Sequence, residues 1–251
     1  MSTFPHGFAG VTIWPIRPGR MPTIELDSSA VPPNAARDGA TDAVWARQSA
    51  ANPRLFDGPI LSVTSFDPEA ARVMCRRDSY KRLSVGDSVA TGVVLLAVNA
   101  VLIARDARGA EHVLLGRRSP QVRTYGAMWE LTPAGGLEPP DAPPRGVVPH
   151  AHVLTQLERE MHEEAGIRGN VGPATPVAFY SDDRASSFNI VYMVRSETPL
   201  DALRAGAGER HWDCDAIRWL PRAEARAFDR AEGAGTIDAS RAVLRFLGWV
   251  A

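Results

Sequence analysis

The sequence has little cysteine and no long apolar run. Its 251 residues include two cysteines, Cys75 and Cys214, without a CxxC spacing, so neither a disulfide framework nor a zinc site is expected. No stretch approaches the roughly 18 apolar residues of a membrane span. The first residues also lack the basic and apolar segments of a signal peptide. We therefore expect a cytoplasmic protein without a membrane partner.

The sequence also lacks a net charge of either sign. Its 28 basic and 29 acidic residues give a formal charge of -1, which does not favour a broad electrostatic attraction to nucleic acid or to anionic membranes. Lysine occurs once, at Lys81, and the other 27 basic residues are arginines. The forked donors of arginine suit phosphate groups.

Proline is unevenly distributed. Eight of the 20 prolines lie in residues 1–60, and five lie in residues 139–149. The first cluster predicts little regular structure beyond a short helix over 41–51 and a strand over 59–66. We expect an N-terminal accessory region over residues 1–86 and a main domain over residues 87–251.

The main domain alternates short apolar segments with two amphipathic patterns. The amphipathic patterns predict helices over 152–166 and 239–250. Strands are predicted over 89–98, 101–105, 112–118, 175–180, 188–194 and 217–220. Strands interleaved with helices indicate an α/β or α+β layered fold.

Three carboxylates share one face of the first predicted helix. At 3.6 residues per turn, Glu160, Glu163 and Glu164 fall within an arc of about 100°, and Arg159 lies one turn before Glu163. Carboxylates so close repel one another unless a cation lies between them, and oxygen ligands suit Mg²⁺ or Mn²⁺. The alternative is an ordinary solvated helix face.

The segments around this helix favour the metal site. A Gly135–Gly136 pair follows a predicted strand, and the helix carries the pattern RE-apolar-x-EE-x-G-apolar from Arg159 to Ile167. The glycine loop, this pattern and the segments HVLLGRRS (112–119) and GAMWELTPAGGLEP (126–139) together resemble the Nudix hydrolases over roughly residues 88–249.

The resemblance implies a Nudix-type α/β/α sandwich with a mixed sheet. It implies a metal-dependent hydrolase that cleaves the pyrophosphate of a small nucleotide substrate, with Mg²⁺ or Mn²⁺ as cofactor. Glu160, Glu163, Glu164 and Gly136 would be the metal ligands, and Arg159 would orient a glutamate within the catalytic set. A further base or ligand would come from a later carboxylate, with these candidates: Asp182, Asp183, Glu209, Asp213 and Asp215.

The sequence departs from the family pattern in one residue and in the length of one loop. The pattern places a glutamate eight residues before the motif arginine, but that position is Ala151. The loop after Gly136 is nine residues longer than the pattern, and it contains the second proline cluster. The missing glutamate usually braces the arginine, and Glu158, His152 and His150 are candidates to replace it.

The N-terminal region resembles one branch of the family. LFDGPILSV (55–63) and SYKRL (79–83) are similar to segments of the branch that hydrolyses UDP-glucose to UMP and glucose 1-phosphate, which implies that the region helps to form the nucleotide site. Expected substrate-binding residues are Arg117, Arg118, Tyr80 and Lys81. Other nucleotide substrates such as ADP-ribose, a catalytically silent nucleotide-binding module, and a homodimer all remain open.

Overall fold

A computed structural model describes residues 5–27, 31–141, 146–169, 172–209 and 211–250. Strands and α-helices alternate through these ranges. In chain order they are β1 His6–Phe8, β2 Val11–Pro15, β3 Thr23–Asp27, α1 Ala35–Ala51, β4 Pro59–Asp67, β5 Arg72–Ser79, α2 Tyr80–Ser84, β6 Leu95–Arg105, β7 Glu111–Arg118, β8 Trp129–Leu131, β9 Ala134–Gly136, α3 His150–Ala165, β10 Ala174–Asp182, β11 Ser187–Arg195, α4 Leu200–Gly206, β12 Cys214–Pro221, α5 Ala225–Glu232 and α6 Asp238–Phe246.

The strands join in one mixed sheet. Its main path runs β1-β2-β10-β11-β6-β4-β5-β3, while β7 pairs with β6, β8 and β12, and β9 pairs with β6. The pairs β6–β11 and β3–β5 are parallel, and the other named pairs are antiparallel. The predicted mixed α+β fold is therefore confirmed.

Helices cover both faces of the sheet because side chains alternate along its strands. On β6, Leu96 and Val98 belong to a buried cluster that includes Met161 of α3. Val101 of the same strand belongs to the opposite cluster, which includes Val243 of α6. The sheet is thus the middle layer, with α3 on one face and α6 on the other.

The boundaries of the central strand differ from the prediction. A strand over 89–98 and a second over 101–105 were expected, but β6 runs without a break from Leu95 to Arg105 and buries Asn99. Residues 89–94 are not a strand, because Gly92 is in the left-handed region at φ +66°. The hydroxyl of Thr91 also donates to the carbonyl of Arg82 at 2.9 Å, which ties this segment to α2.

The N-terminal residues hold more regular structure than predicted. Three strands and a 17-residue helix precede residue 52, so the expectation of sparse structure was wrong. Strand β2 pairs with β10 and β4 pairs with β6, so strands from both sides of residue 87 belong to one sheet. Strands of three to five residues between prolines are too short to give a clear periodic signal.

Other elements differ less from the prediction. Helix α6 ends at Phe246, four residues before the predicted end, and strand β5 and helices α4 and α5 were not predicted.

No helix in the described ranges has the length and apolar character that crossing a membrane requires.

Candidate active site

A cleft of about 710 Å³ lies where α3, the sheet and the N-terminal region meet. Its volume is in the usual range for small-molecule sites. Most of the predicted site residues line it: Glu160, Glu163, Glu164, Arg159, Gly136, Arg118 and Tyr80. The structure therefore brings the helix carboxylates and the glycine loop together in one cavity.

Two predicted substrate-binding residues are not part of the lining. Arg117 is exposed and donates from Nε to the carbonyl of Ala127 at 3.3 Å. The ammonium of Lys81 lies 3.0 Å from a carboxylate oxygen of Asp42. Neither side chain is among those that line the cleft.

Only some of the five candidate carboxylates that follow α3 line the cleft. Asp182 and Asp213 line the cleft, whereas Asp183, Glu209 and Asp215 do not. Asp182 accepts a hydrogen bond from the hydroxyl of Tyr125 at 2.8 Å, and this contact holds it on the side of the cleft formed by β10. Asp213 lies near the carboxylates of α3.

Helix α3 presents its carboxylates to the edge strand β9. Its apolar face packs in the core, and the helix ends at Gly166, which adopts φ +68°. The backbone N–H of Ala134 donates to Glu164 at 2.9 Å. The side-chain amide of Gln156 donates to Glu160 at 2.7 Å. These two contacts fix the direction in which the carboxylates point.

Gly135 lies where β9 meets α3. A Cβ atom on residue 135 would lie 2.1 Å from the carboxyl carbon of Glu160, far closer than a van der Waals contact. Gly135 therefore allows the strand backbone to approach the helix carboxylate. This accounts for the first glycine of the pair that the sequence places before the helix.

Burial and mutual repulsion raise the pKa values of the clustered carboxyl groups. Burial raises the pKa of Glu160 to about 7, and the nearby charge of Glu163 adds to this rise. Burial raises the pKa of Glu164 well above its usual range, and the charges of Glu130 and Glu160 contribute further. Glu164 is only 6% exposed. Such a cluster is costly to ionise without a cation.

Arg118 provides one internal cation for this cluster. Its guanidinium lies 2.6 Å from a carboxylate oxygen of Glu130, which is 9% exposed and lies on β8. Burial raises the pKa of Glu130, and the Arg118 charge opposes that rise. Burial lowers the pKa of Arg118, but the charges of Glu130, Glu164 and Asp213 outweigh it. Arg118 is therefore part of the acidic site.

The carboxylates of α3 are of the chemical type that binds a divalent cation. Carboxylate oxygens suit Mg²⁺ or Mn²⁺, and a bound cation would offset the repulsion that raises the pKa values. In the described ranges no group of three metal-ligating side chains surrounds one point. Glu160 and Glu164 are instead held by the Gln156 amide and the Ala134 N–H.

The structure places Glu138 opposite the motif arginine. A guanidinium nitrogen of Arg159 lies 2.7 Å from a carboxylate oxygen of Glu138, closer than Glu160 at 3.9 Å and Glu163 at 3.8 Å. The hydrogen bond to Glu138 is the main cause of the raised pKa of Arg159. The sequence did not indicate this pair, because Glu138 lies 21 residues before Arg159.

None of the three residues predicted to replace the missing glutamate takes the place that Glu138 has beside Arg159 in the described ranges. Glu158 is exposed on α3, and the ring of His150 packs 5.8 Å from that of Tyr192. His152 Nε2 lies 2.8 Å from the carbonyl oxygen of Glu138. His152 therefore contacts the backbone of the residue that pairs with Arg159.

Glu138→Gln is expected to lower kcat by about 10- to 100-fold, the usual effect of removing a partner that orients a metal ligand. The losses of kcat in Glu138→Gln and in Arg159→Gln should not add up in the double variant, because each substitution breaks the same ion pair. Steady-state rates of the two single variants and the double variant measure this. Fully additive losses would show that Glu138 acts independently of Arg159.

A comparison with family profiles identifies the fold family of this site. The profile described as the NUDIX domain matches residues 95–239. The chain belongs to the Nudix family. The match begins at the first residue of β6, contains the glycine loop and α3, and ends within α6. Nudix hydrolases act as pyrophosphohydrolases on small nucleotide substrates and generally use divalent metal ions.

Solved structures of Nudix proteins are also similar to this chain. A MutT/nudix family protein from Enterococcus faecalis is 20% identical, with 51% of this chain and 43% of that protein covered and a TM-score of 0.38. An Ap4A hydrolase from C. elegans is 17% identical, with 62% and 98% covered and a TM-score of 0.39. The NUDIX domain of Shewanella oneidensis NrtR, complexed with ADP ribose, is 17% identical, with 62% and 84% covered and a TM-score of 0.37. No curated protein matches at a significant level.

Proposed function

We propose that this Nudix protein is a metal-dependent hydrolase that cleaves the pyrophosphate of a nucleoside diphosphate derivative. The observation that carries the proposal is the arrangement of Glu160 and Glu164 against the Gly135–Gly136 strand, inside a cleft large enough for a nucleotide. Glu163 lies on the same helix and lines the same cleft, on its more exposed side.

The residues divide between holding a cation and orienting the groups that hold it. Glu160, Glu163 and Glu164, with the Gly136 carbonyl, would hold Mg²⁺ or Mn²⁺. The bound ion would neutralise the phosphate charge and lower the pKa of a coordinated water. Arg159, braced by Glu138, positions the glutamates of α3. Arg118 pairs with the neighbouring carboxylate of Glu130, and its charge favours the ionised form against the effect of burial.

UDP-glucose is the specific substrate that we propose. Support comes from the two segments whose sequences resemble the UDP-glucose-hydrolysing branch. Phe56, Gly58 and Pro59 from the first segment and Tyr80 from the second all line the cleft. In this proposal the N-terminal residues form part of the nucleotide site, and the products are UMP and glucose 1-phosphate.

A substrate panel tests this assignment. Purified protein with Mg²⁺ is incubated with UDP-glucose, UDP-galactose, ADP-ribose, GDP-mannose and a dinucleoside polyphosphate, and products are separated by anion-exchange chromatography. The proposal predicts the highest kcat/KM on UDP-glucose, with UMP and glucose 1-phosphate as products. A preference for ADP-ribose or a dinucleotide would replace the substrate but keep the reaction. Binding without turnover on any member would indicate a silent nucleotide-binding module.

A further inference from the structure

We propose that Arg54, Phe56 and Trp212 form a binding site for the planar heteroaromatic ring of the nucleotide, which we call the ring site. The position of the ring site relative to the diphosphate of a substrate rests on the proposed function. Binding of the heteroaromatic ring can be measured without turnover. All three residues line the same cleft as the carboxylates of α3. None lies in the glycine loop or in α3, and the first two precede the segment that matches the family profile.

Phe56 is an apolar ring left uncovered at the cleft. It is 76% exposed, and Met21 at 44% is the only other large apolar side chain exposed in the described ranges. An atom of the Phe56 ring lies 3.1 Å from where a Cβ on residue 58 would stand. Gly58 therefore leaves room for the ring to lie against the backbone of the cleft wall. A flat ligand that covered Phe56 would remove apolar surface from water.

Arg54 and Trp212 form a second flat surface in the cleft. The guanidinium of Arg54 lies over the indole ring of Trp212, with 5.4 Å between its central carbon and the ring centroid. Gln121 accepts a hydrogen bond from Arg54 at 2.7 Å, which helps to hold the guanidinium there. Planar guanidinium and indole groups both stack on heteroaromatic rings.

The position of Trp212 is tied to the carboxylate end of the cleft. The backbone N–H of the preceding residue, His211, donates to the carbonyl oxygen of Glu163 at 2.6 Å. The following residue, Asp213, also lines the cleft. A ligand whose diphosphate lay at the carboxylates would therefore have a stacking side chain close to it.

The apolar part of the cleft lining favours a nucleobase over a sugar. Apolar side chains from the N-terminal region and β6 line the same cleft: Leu55, Pro59, Ile60, Leu83 and Leu95. A sugar presents hydroxyl groups that need polar partners, and burying them without such partners is unfavourable. A nucleobase presents two apolar faces that stack without such partners.

Calorimetric titration with nucleoside monophosphates tests the ring site without requiring turnover. The ligands are UMP and AMP, with glucose 1-phosphate and ribose 5-phosphate as counterparts that lack a base, all in the presence of Mg²⁺. The variants are Phe56→Ala and Trp212→Ala. Trp212→Phe keeps a stacking ring, and Met21→Ala is the matched control, because it truncates an exposed apolar side chain that does not line the cleft.

We expect each alanine variant to bind UMP and AMP about 5- to 100-fold more weakly, the range for loss of one base-stacking contact. Trp212→Phe should recover most of the affinity, and Met21→Ala should match the wild type. Binding of the two sugar phosphates without a base should not change in any variant. Far-UV circular dichroism and melting temperature show whether each variant is folded.

Two outcomes would overturn the ring site. Wild-type protein that binds neither UMP nor AMP would do so, as would folded alanine variants that bind both as tightly as the wild type. The proposed function fails separately: a protein that hydrolyses no pyrophosphate but loses UMP binding in Trp212→Ala has the ring site without the enzyme activity.

Discussion

Glu164→Gln is expected to lower kcat by about 100- to 1,000-fold, the loss typical of removing one group that stabilises the transition state electrostatically. The amide has the same shape as the carboxylate and retains an oxygen that can accept the Ala134 N–H. It lacks the negative charge that a divalent cation requires. Removing a buried charge with a strongly raised pKa should also leave the fold at least as stable near pH 8. Steady-state kinetics and a thermal melt together measure this.

Glu158→Gln is the matched control for that prediction. It makes the same chemical change on the same helix, but Glu158 is exposed and does not line the cleft. Its kcat should lie within about twofold of the wild type, as expected for a surface position away from the site. Equal activity in Glu164→Gln and Glu158→Gln would remove Glu164 from the active site.

Arg118→Met is expected to destabilise the protein by about 3–5 kcal/mol, the cost of breaking a buried ion pair by removing one partner. Glu130 would then keep a buried carboxylate next to Glu164 without its cation. For a chain of this size the melting temperature should fall by about 10 °C. Differential scanning calorimetry near pH 8 measures the change, because Glu130 and Glu164 are ionised in the unfolded chain at that pH.

Arg117→Met provides the comparison on the same strand. Arg117 is exposed and donates from Nε to a backbone carbonyl, so the melting temperature of Arg117→Met should differ from that of the wild type by no more than about 2 °C. Arg118→Met/Glu130→Gln should recover much of the lost stability, because it removes the unpaired charge. A melting temperature for Arg118→Met equal to that of Arg117→Met would contradict a structural role for the ion pair.

The helix carboxylates could be predicted because they depend on local spacing. Glu160, Glu163 and Glu164 follow the helical repeat, and Gly166 terminates the helix by the usual left-handed conformation. The glycine pair before the helix was informative as well, because Gly135 lets β9 approach the Glu160 side chain as it is placed here.

The partners of these residues could not be predicted, because they come from distant parts of the chain. Glu138 precedes Arg159 by 21 residues across the long proline-rich loop, so no helical or strand period relates them. Glu130 reaches Arg118 because the pairing of β7 with β8 places Glu130 opposite Gly116, two residues away. The periodicity of a segment indicates that it is a strand, but it does not indicate which strand is its partner.

The N-terminal region shows the same limit at the level of whole strands. Its prolines predicted irregular structure, but β2 is held by pairing with β10, which lies more than 150 residues later. That pairing brings the first strands into the sheet. The helix and strand that flank residues 54–58 place Phe56 in the cleft, a result that composition alone does not suggest.

The Mg²⁺ dependence of turnover tests the central claim most directly. Wild-type protein is freed of metal with EDTA and dialysed, and hydrolysis of UDP-glucose and ADP-ribose is followed while Mg²⁺ is added back. The account predicts no hydrolysis without the cation, a saturable rise as it is added, and at most a few per cent of that rate in Glu164→Gln. Hydrolysis at full rate in EDTA, or a rise of equal size in Glu164→Gln, would contradict it.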